Sequence, residues 1–267
     1  MKIGICGAGG RMGQMLIRQV MATPGAELIG ALERAGSPLI GQDAGVLTGI
    51  GPAGVPVGGD PALLFAAADV VIDFTAPAAT AAHAILAGVH RTGLVIGTTG
   101  LSAAEQETIN AASRTAPIVQ ASNYSVGVVA LSALVEQLAR TLDENWDIEV
   151  VEMHHRHKVD APSGTALTLG EAAARGRGVS LETHSVRGRD GLTGARQSGT
   201  IGFAALRGGD VIGDHTVLFA TNGERIELSH KAGNRDIFAA GAVRAALWCG
   251  TRPAGRYDLR DVLGLRG

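Results

Sequence analysis

Lys2-Ile-Gly-Ile-Cys-Gly-Ala-Gly-Gly-Arg-Met-Gly13, continued by Gln14-Met-Leu-Ile-Arg-Gln-Val-Met21, is the stretch on which the fold turns. Lys2 to Cys6 reads as a short, buried parallel strand that meets glycine at once. Residues 14–21 then carry apolar side chains at helical spacing. Between them Gly7, Gly10 and Gly13 give G-x-x-G-x-x-G; the stricter G-x-G-x-x-G fails because its sixth position is Met12. Glycines alone are a weak signal. Set after a first strand and before a helix, they read as a dinucleotide fingerprint. A tight turn holding no ligand is the plainer alternative.

The chain beyond supports the first reading. Ala26 to Leu32 is a second strand ending at Glu33-Arg34, and Glu33 lies 20 residues after Gly13. At that interval an acidic side chain meets the adenosine ribose, whereas an arginine there suits a 2′-phosphate. Both together predict a site open to NADH or NADPH. Residues 35–60, rich in Gly and Pro, read as a loop. Strands follow at 69–74, 93–97 and 117–120, with a helix over 78–87 (Pro77 suits its first turn) and another starting from Ser102 as N-cap. Such alternation predicts an α/β fold with an open, doubly wound, Rossmann-like parallel sheet. Ligands sit outside the carboxyl ends of such strands. There lie Phe74-Thr75, Gly97-Thr98-Thr99 and Ala121-Ser122-Asn123-Tyr124, each a candidate cofactor contact and each a possible turn.

An apolar helix at 126–141 leads out of this region. A strand at 147–153 runs into His154-His155-Arg156-His157-Lys158-Val159-Asp160-Ala161-Pro162-Ser163-Gly164-Thr165-Ala166, which holds three of the eight histidines. Of 23 basic side chains only Lys2, Lys158 and Lys231 are lysine. An ammonium can give up a proton where a guanidinium cannot. Ser163-Gly164-Thr165 opens a helix over 165–174, and its free N–H groups form a seat for an anion. Proton donors beside an anion seat point to a small, negatively charged substrate. A solvated basic loop is the alternative.

Residues 175–198, rich in Gly and Arg, read as a mobile or partner-covering loop. Strands at 200–206, 210–213, 217–220 and 224–229 follow without helices between them, and Asn222-Gly223 marks a hairpin. This half is therefore an α+β unit with a mixed or antiparallel sheet. An open sheet face of this kind predicts oligomerisation through residues 200–230. A helix over 237–249 closes the pattern.

Composition sets limits. The chain has 267 residues, 46% apolar but only 3% aromatic, with 39 glycines and a formal charge of −2. That balance argues against nucleic acid or an anionic membrane as main partner. No apolar run approaches the roughly 20 residues of a membrane span, and the first strand begins without a targeting segment. Cys6 and Cys249 read as buried thiols. A soluble, cytoplasmic protein is expected.

The motifs Gly7 to Gly13, Gly97-Thr98-Thr99-Gly100, Asn123-Tyr124-Ser125 and His154 to Ala166, together with Arg235, occur in the order and spacing of the 4-hydroxy-tetrahydrodipicolinate reductases (dihydrodipicolinate reductases), which this chain resembles along its whole length. The resemblance implies NAD(P)H-dependent reduction of 4-hydroxy-tetrahydrodipicolinate to tetrahydrodipicolinate with loss of water, in diaminopimelate and lysine biosynthesis. It implies a dinucleotide-binding domain over 1–125, rejoined by 235–267, and a substrate-binding, tetramer-forming domain over 126–234. His154 and Lys158 are then the proton-transfer residues, and His155, Gly164 and Thr165 hold the carboxylates of a small dicarboxylate. Cofactor contacts fall on Gly7, Ala8, Gly9, Gly10, Arg11, Met12, Glu33, Arg34, Gly97, Thr98, Thr99, Ala121, Ser122, Asn123, Tyr124 and Arg235. Tyr124 departs from the Phe of many members. Three rival readings stand beside it: another Rossmann reductase of a small acid, such as a semialdehyde or amino-acid dehydrogenase, the former needing a catalytic cysteine that Cys6 and Cys249 are misplaced to supply; a non-catalytic NAD(P)H sensor, which needs no His-Lys cluster; and a metal on His154, His155 and His157, whose spacing does not converge on one ion. No metal is expected.

Overall fold

The computed structural model describes residues 1–266. The chain divides into two compact units, Met1–Val126 with the chain from Asp236 onward, and Gly127–Arg235.

The first unit runs β1 (Lys2–Cys6), α1 (Arg11–Ala22), β2 (Glu27–Leu32), α2 (Ala44–Leu47), β3 (Val57–Gly58), α3 (Pro61–Ala67), β4 (Val70–Asp73), α4 (Pro77–His90), β5 (Gly93–Ile96), α5 (Ala103–Ala112) and β6 (Pro117–Gln120). Helix starts carry local signals. Pro61 and Pro77 occupy first turns, and Ser102 and Glu105 form a capping box on α5. The loop expected over 35–60 holds α2 and β3 instead. Asp43 organises it, its carboxylate accepting N–H bonds from Gly45, Val46, Ala53 and Gly54. Those donors, Ala53 foremost, hold the Asp43 carboxyl below its ordinary range.

Helix α6 (Val126–Thr141) begins at the boundary. The second unit continues with β7 (Asp147–His154), α7 (Gly164–Arg177), α8 (Leu181–His184), β8 (Ser185–Val186), β9 (Ile201–Arg207), β10 (Asp214–Thr221) and β11 (Glu224–Lys231). Its sheet has the order β11-β10-β7-β9-β8, antiparallel on one side of β7 and parallel on the other. Alternation along β7 buries Ile148, Val150, Glu152 and His154 on one face. Leu131, Val135 and Ala139 of α6 and Leu169 and Ala173 of α7 pack there with Phe203, Val217 and Phe219. On the other face Val151, Met153 and Leu218 stay half-exposed and Leu206 is 51% exposed.

Residues 210–213, expected as a strand, lie in the irregular connection between β9 and β10, which turns at Gly209 and Asp210. Their neighbours' backbone groups bond the loop after β7 and the end of β11 rather than a ladder: Gly208 N–H donates to the His154 carbonyl, Arg156 N–H to Gly209, and Ala232 N–H to Gly213. Asn222 and Gly223 do turn the β10–β11 hairpin, with Thr221 paired to Glu224 and Gly223 at φ +90°. The segment after β8 is anchored by Arg189 and Arg196, both donating to Glu149.

The chain then returns to the first unit as α9 (Asp236–Cys249), β12 (Gly255–Tyr257) and α10 (Leu259–Leu263). Gly241 lets α9 approach the Tyr124 carbonyl, where any Cβ would collide with that backbone. Strand β12 adds beside β6, completing a parallel sheet of order β12-β6-β5-β4-β1-β2-β3. The order reverses between β1 and β4, so the ligand crevice of such a sheet lies beyond their carboxyl ends.

Candidate functional site

In the first unit the glycine turn sits at that crevice. Gly7, at φ +76°, turns the chain so that its N–H and that of Ala8 bond the Leu32 carbonyl at the end of β2. Gly9 N–H donates to Glu33 Oε1 at 2.8 Å, and Glu33 Oε2 accepts from Arg34 N–H at 3.2 Å. Helix α1 has Gly10 as N-cap and no capping side chain, so its first N–H groups stand ready for a phosphate. A Cβ on Gly13 would lie 2.8 Å from the Gly7 carbonyl carbon and 2.9 Å from Ala8 Cα. The third glycine is there for that close packing. Turn, Glu33 and Arg34 thus form one group fit to hold a dinucleotide.

The neighbouring loops are wired together by a buried polar network that the sequence did not reveal. Asp73, fully buried, accepts from Thr75 Oγ1 at 2.5 Å and pairs with His83 Nδ1 at 2.9 Å. Thr98 Oγ1 takes bonds from Thr75 N–H at 3.1 Å and Thr80 Oγ1 at 2.8 Å. Thr98 is therefore turned inward, while Gly97 is partly open and Thr99 exposed. After β6, Ser122 is exposed and Ala121 and Asn123 are partly open. Tyr124 differs from expectation. Its side chain is 1% exposed, and its hydroxyl donates to the carbonyls of Ile96 at 2.8 Å and Val119 at 3.2 Å. The ring belongs to the core beneath the sheet end and has no open face for stacking on a cofactor.

In the second unit, β7 delivers His154 at its last position. His154 Nδ1 lies 2.6 Å from Glu152 Oε2, both side chains on the buried face. Arg207, paired in register with His154, clasps Glu152 through two bonds of 2.7 and 2.8 Å. Ser163 N–H donates to Glu152 Oε1 at 3.1 Å. Burial pushes the Glu152 carboxyl up, but bonds from Arg207, His154 and Ser163 outweigh it, so it lies below the ordinary range and is ionised. Across the strand pair, His215 stands edge-on to His154 with ring centroids 5.0 Å apart. Burial first, and the charge of His154 second, pull His215 down to about 4, which keeps it neutral near pH 7. A Cβ on Gly213 would come within 2.9 Å of His154 Nε2. The bare glycine leaves that nitrogen uncrowded.

Ser163 links this cluster to the anion seat. Its Oγ caps α7 by accepting Ala166 N–H at 3.1 Å and lies 3.0 Å from His215 Nε2. Gly164, exposed, and Thr165, partly open, form the first turn of α7 beyond it. Lys158 Nζ bonds Asp160 Oδ1 at 2.7 Å, which holds the Asp160 carboxyl below its usual range. A cavity of about 690 Å³ is lined by His155, Arg156, His157, Gly209, Asp210 and Arg235. Burial, then the charge of Arg235, lowers the pKa of His155. Arg235, expected on the cofactor, thus lies in the second unit beside the histidines. Among the described residues no His, Cys, Asp and Glu side chains gather in a metal-binding group, and no helix is long and apolar enough to cross a membrane.

The residues that sequence reasoning missed are Glu152, Arg207, His215 and the inward role of Ser163. Only Glu152 carried a local signal, two residues before His154 and so on the same strand face. Arg207 and His215 arrive through strand register alone.

Known proteins resemble the chain along its whole length. A family described as dihydrodipicolinate reductase, N-terminus, matches residues 1–124, and its C-terminal counterpart matches residues 127–263. A 4-hydroxy-tetrahydrodipicolinate reductase of Brucella melitensis is 58% identical over 266 residues, covering 99% of each chain. One of Mesorhizobium japonicum, 4-hydroxy-tetrahydrodipicolinate reductase 1, is also 58% identical, covering 99% of this chain and 97% of its own. Among solved structures, a dipicolinate-bound dihydrodipicolinate reductase from Paenisporosarcina sp. TG-14 superposes with a TM-score of 0.78 at 25% identity, covering 97% of each chain.

Proposed function

This chain belongs to the dihydrodipicolinate reductase family, and from that premise we propose how its own residues divide the reduction of 4-hydroxy-tetrahydrodipicolinate. It is an oxidoreductase of diaminopimelate and lysine biosynthesis that uses a nicotinamide cofactor and a small dicarboxylate substrate. The first unit holds the cofactor through the Gly7 to Met12 turn, Glu33, Arg34, Gly97 to Thr99 and Ala121 to Asn123, with Tyr124 contributing backbone only. When bound, the nicotinamide supplies hydride.

The second unit holds the substrate and handles its protons. One carboxylate rests on the N–H groups of Gly164 and Thr165; His155 and Arg235 meet the negative charge of the other. Hydride arriving on a conjugated imine places electron density that a proton must match, and loss of the 4-hydroxyl as water needs a proton too. His154 Nε2 and Lys158 Nζ serve these transfers. One observation carries this reading: His154 turns Nδ1 to an ionised carboxylate and so offers Nε2, beside an α7 N-terminus whose cap is tied to the same cluster.

Glu33 with Arg34 supports use of both NADH and NADPH. The half-exposed sheet face supports a homotetramer, and two buried, unpaired thiols suit a reducing compartment, the cytoplasm. The test is oxidation of NADH and NADPH, side by side, with substrate freshly made by the preceding synthase. His154→Gln should cut kcat strongly with cofactor affinity little changed; wild-type turnover would refute the role. Sedimentation giving a monomer at micromolar concentration would refute the tetramer.

A further inference from the structure

We propose that Glu152 is a positioning residue that fixes which nitrogen of His154 exchanges the proton, and that the same carboxylate aligns the anion seat through Ser163. This deepens the reading of His154 above and rests on it.

The argument starts from hydrogen-bond inventory. An ionised carboxylate only accepts, so the 2.6 Å contact puts a proton on His154 Nδ1 and leaves Nε2 bare in the neutral ring. Arg207 keeps the carboxylate ionised, with both guanidinium nitrogens on its two oxygens. Each oxygen then has a second task. Oε2 receives His154 Nδ1, and Oε1 receives Ser163 N–H. Proton donor and anion seat, nine residues apart in sequence, are referenced to one buried side chain. Arg207 is held in turn by the Asp160 carbonyl, which its second nitrogen reaches at 2.7 Å. The charged and titratable groups around His154 are therefore Glu152 on its own strand, Arg207 on β9, His215 on β10, His230 beyond it on β11, and His155, Lys158 and Asp160 in the loop.

Glu152→Gln distinguishes this from a packing role. Oε1 faces two donors that cannot change, Ser163 N–H and one Arg207 nitrogen, whereas Oε2 faces one, the other Arg207 nitrogen, beside a His154 ring that can switch tautomer, so the amide oxygen takes the Oε1 position. Its NH₂ group then takes the Oε2 position, where the facing Arg207 nitrogen must draw back, and donates to His154 Nδ1, which must lose its proton. The neutral ring switches to the Nε2–H tautomer while the anion seat stays in place. Removing the negative charge also withdraws the carboxylate's support from a cationic ring.

Long-range ¹H–¹⁵N correlation of the histidine rings, with His154 identified by its absence in H154Q, reads the tautomer without substrate. Expected are Nδ1–H in the wild type and Nε2–H in E152Q. E152Q should lose about 10²–10⁴-fold in kcat while binding dipicolinate, used as a substrate-shaped probe, as the wild type does. Glu152→Ala, which removes the acceptor for Ser163, should weaken dipicolinate as well. An Nε2–H ring in the wild type, or an E152Q enzyme with wild-type kcat, overturns the proposal. Should E152Q not fold, the wild-type tautomer still decides it. Full activity in H154Q would instead overturn the proton-transfer reading and the kinetic half of the proposal, leaving the tautomer result to judge the alignment itself.

Discussion

Replacing Ser163 with alanine removes one oxygen that serves two buried partners. It caps α7 through Ala166 N–H, and it bonds His215 Nε2. Ser163 is 1% and His215 4% exposed, so water cannot take over either task without opening the cluster. Losing the cap costs about 1 kcal/mol. Leaving a buried ring nitrogen unpaired costs about 1–3 kcal/mol more, and the other nitrogen, His215 Nδ1, finds no hydrogen-bond partner among the described residues to start with. The sum of about 2–4 kcal/mol falls on the second unit. With a urea slope of roughly 1–3 kcal/mol per molar, the midpoint should drop by about 0.7 M or more. The chain carries two tryptophans, Trp146 and Trp248, one in each unit. In a Trp248→Phe background the fluorescence of Trp146 reports on the second unit by itself. A midpoint within about 0.2 M of the parent, equivalent to roughly 0.5 kcal/mol or less, would refute the view that Ser163 Oγ is a shared, irreplaceable hydrogen-bond partner.

Three further outcomes are expected. His215 binds its proton with a pKa of about 4 in the folded chain against an ordinary 6.5, so the unfolded chain holds more protons between those values. Stability is full above about pH 6.5 and falls as pH drops towards 4, by up to roughly 3 kcal/mol; urea midpoints in His215→Asn should lose that part of the slope, and an unchanged slope would exclude His215 as its source. Gly13→Ala drives a Cβ into the Gly7–Ala8 backbone and should destabilise the first unit by about 1–3 kcal/mol or more, with NAD(P)H affinity falling together with the melting temperature. Tyr124→Phe removes a buried hydroxyl from the Ile96 and Val119 carbonyls and should cost about 1 kcal/mol with cofactor dissociation constants unchanged; a shift in the NADH-to-NADPH ratio would show that the hydroxyl reaches the cofactor after all.

The parts of the fold legible from sequence are those with a local cause. The glycine turn, Pro77 at a first turn, the Ser102 cap and the apolar run of α6 each state their structure within one or two helical turns. Val211-Ile212 looked like a strand because two β-branched residues between glycines fit one; only the backbone partners of the surrounding turn exclude it. Strand β12 was invisible, being three residues long and defined by pairing with β6, 138 positions earlier at Gly255 and Pro117. The candidate site divides the same way. His154, Lys158 and Ser163 are consecutive enough to be read together, whereas Arg207 and His215 meet them by strand register. Tyr124 ranks as a cofactor contact by its place in the motif after β6, but its burial and the two strand carbonyls its hydroxyl ties are set by neighbours distant in sequence.

The split of the first unit has a consequence for how the protein is made. Its sheet cannot be finished from the first 126 residues, because β12 covers the β6 edge and α9 packs against the Tyr124 carbonyl. At synthesis rates of ~5–20 residues per second, the stretch from Val126 to β12 takes roughly 6–26 seconds to emerge. For that time the nascent chain carries an unpaired parallel edge while the second unit, contiguous in sequence, completes itself. A ribosome stalled before Gly255 should thus display a folded middle beside an unsealed beginning, and strand-capping chaperones would find their target at β6.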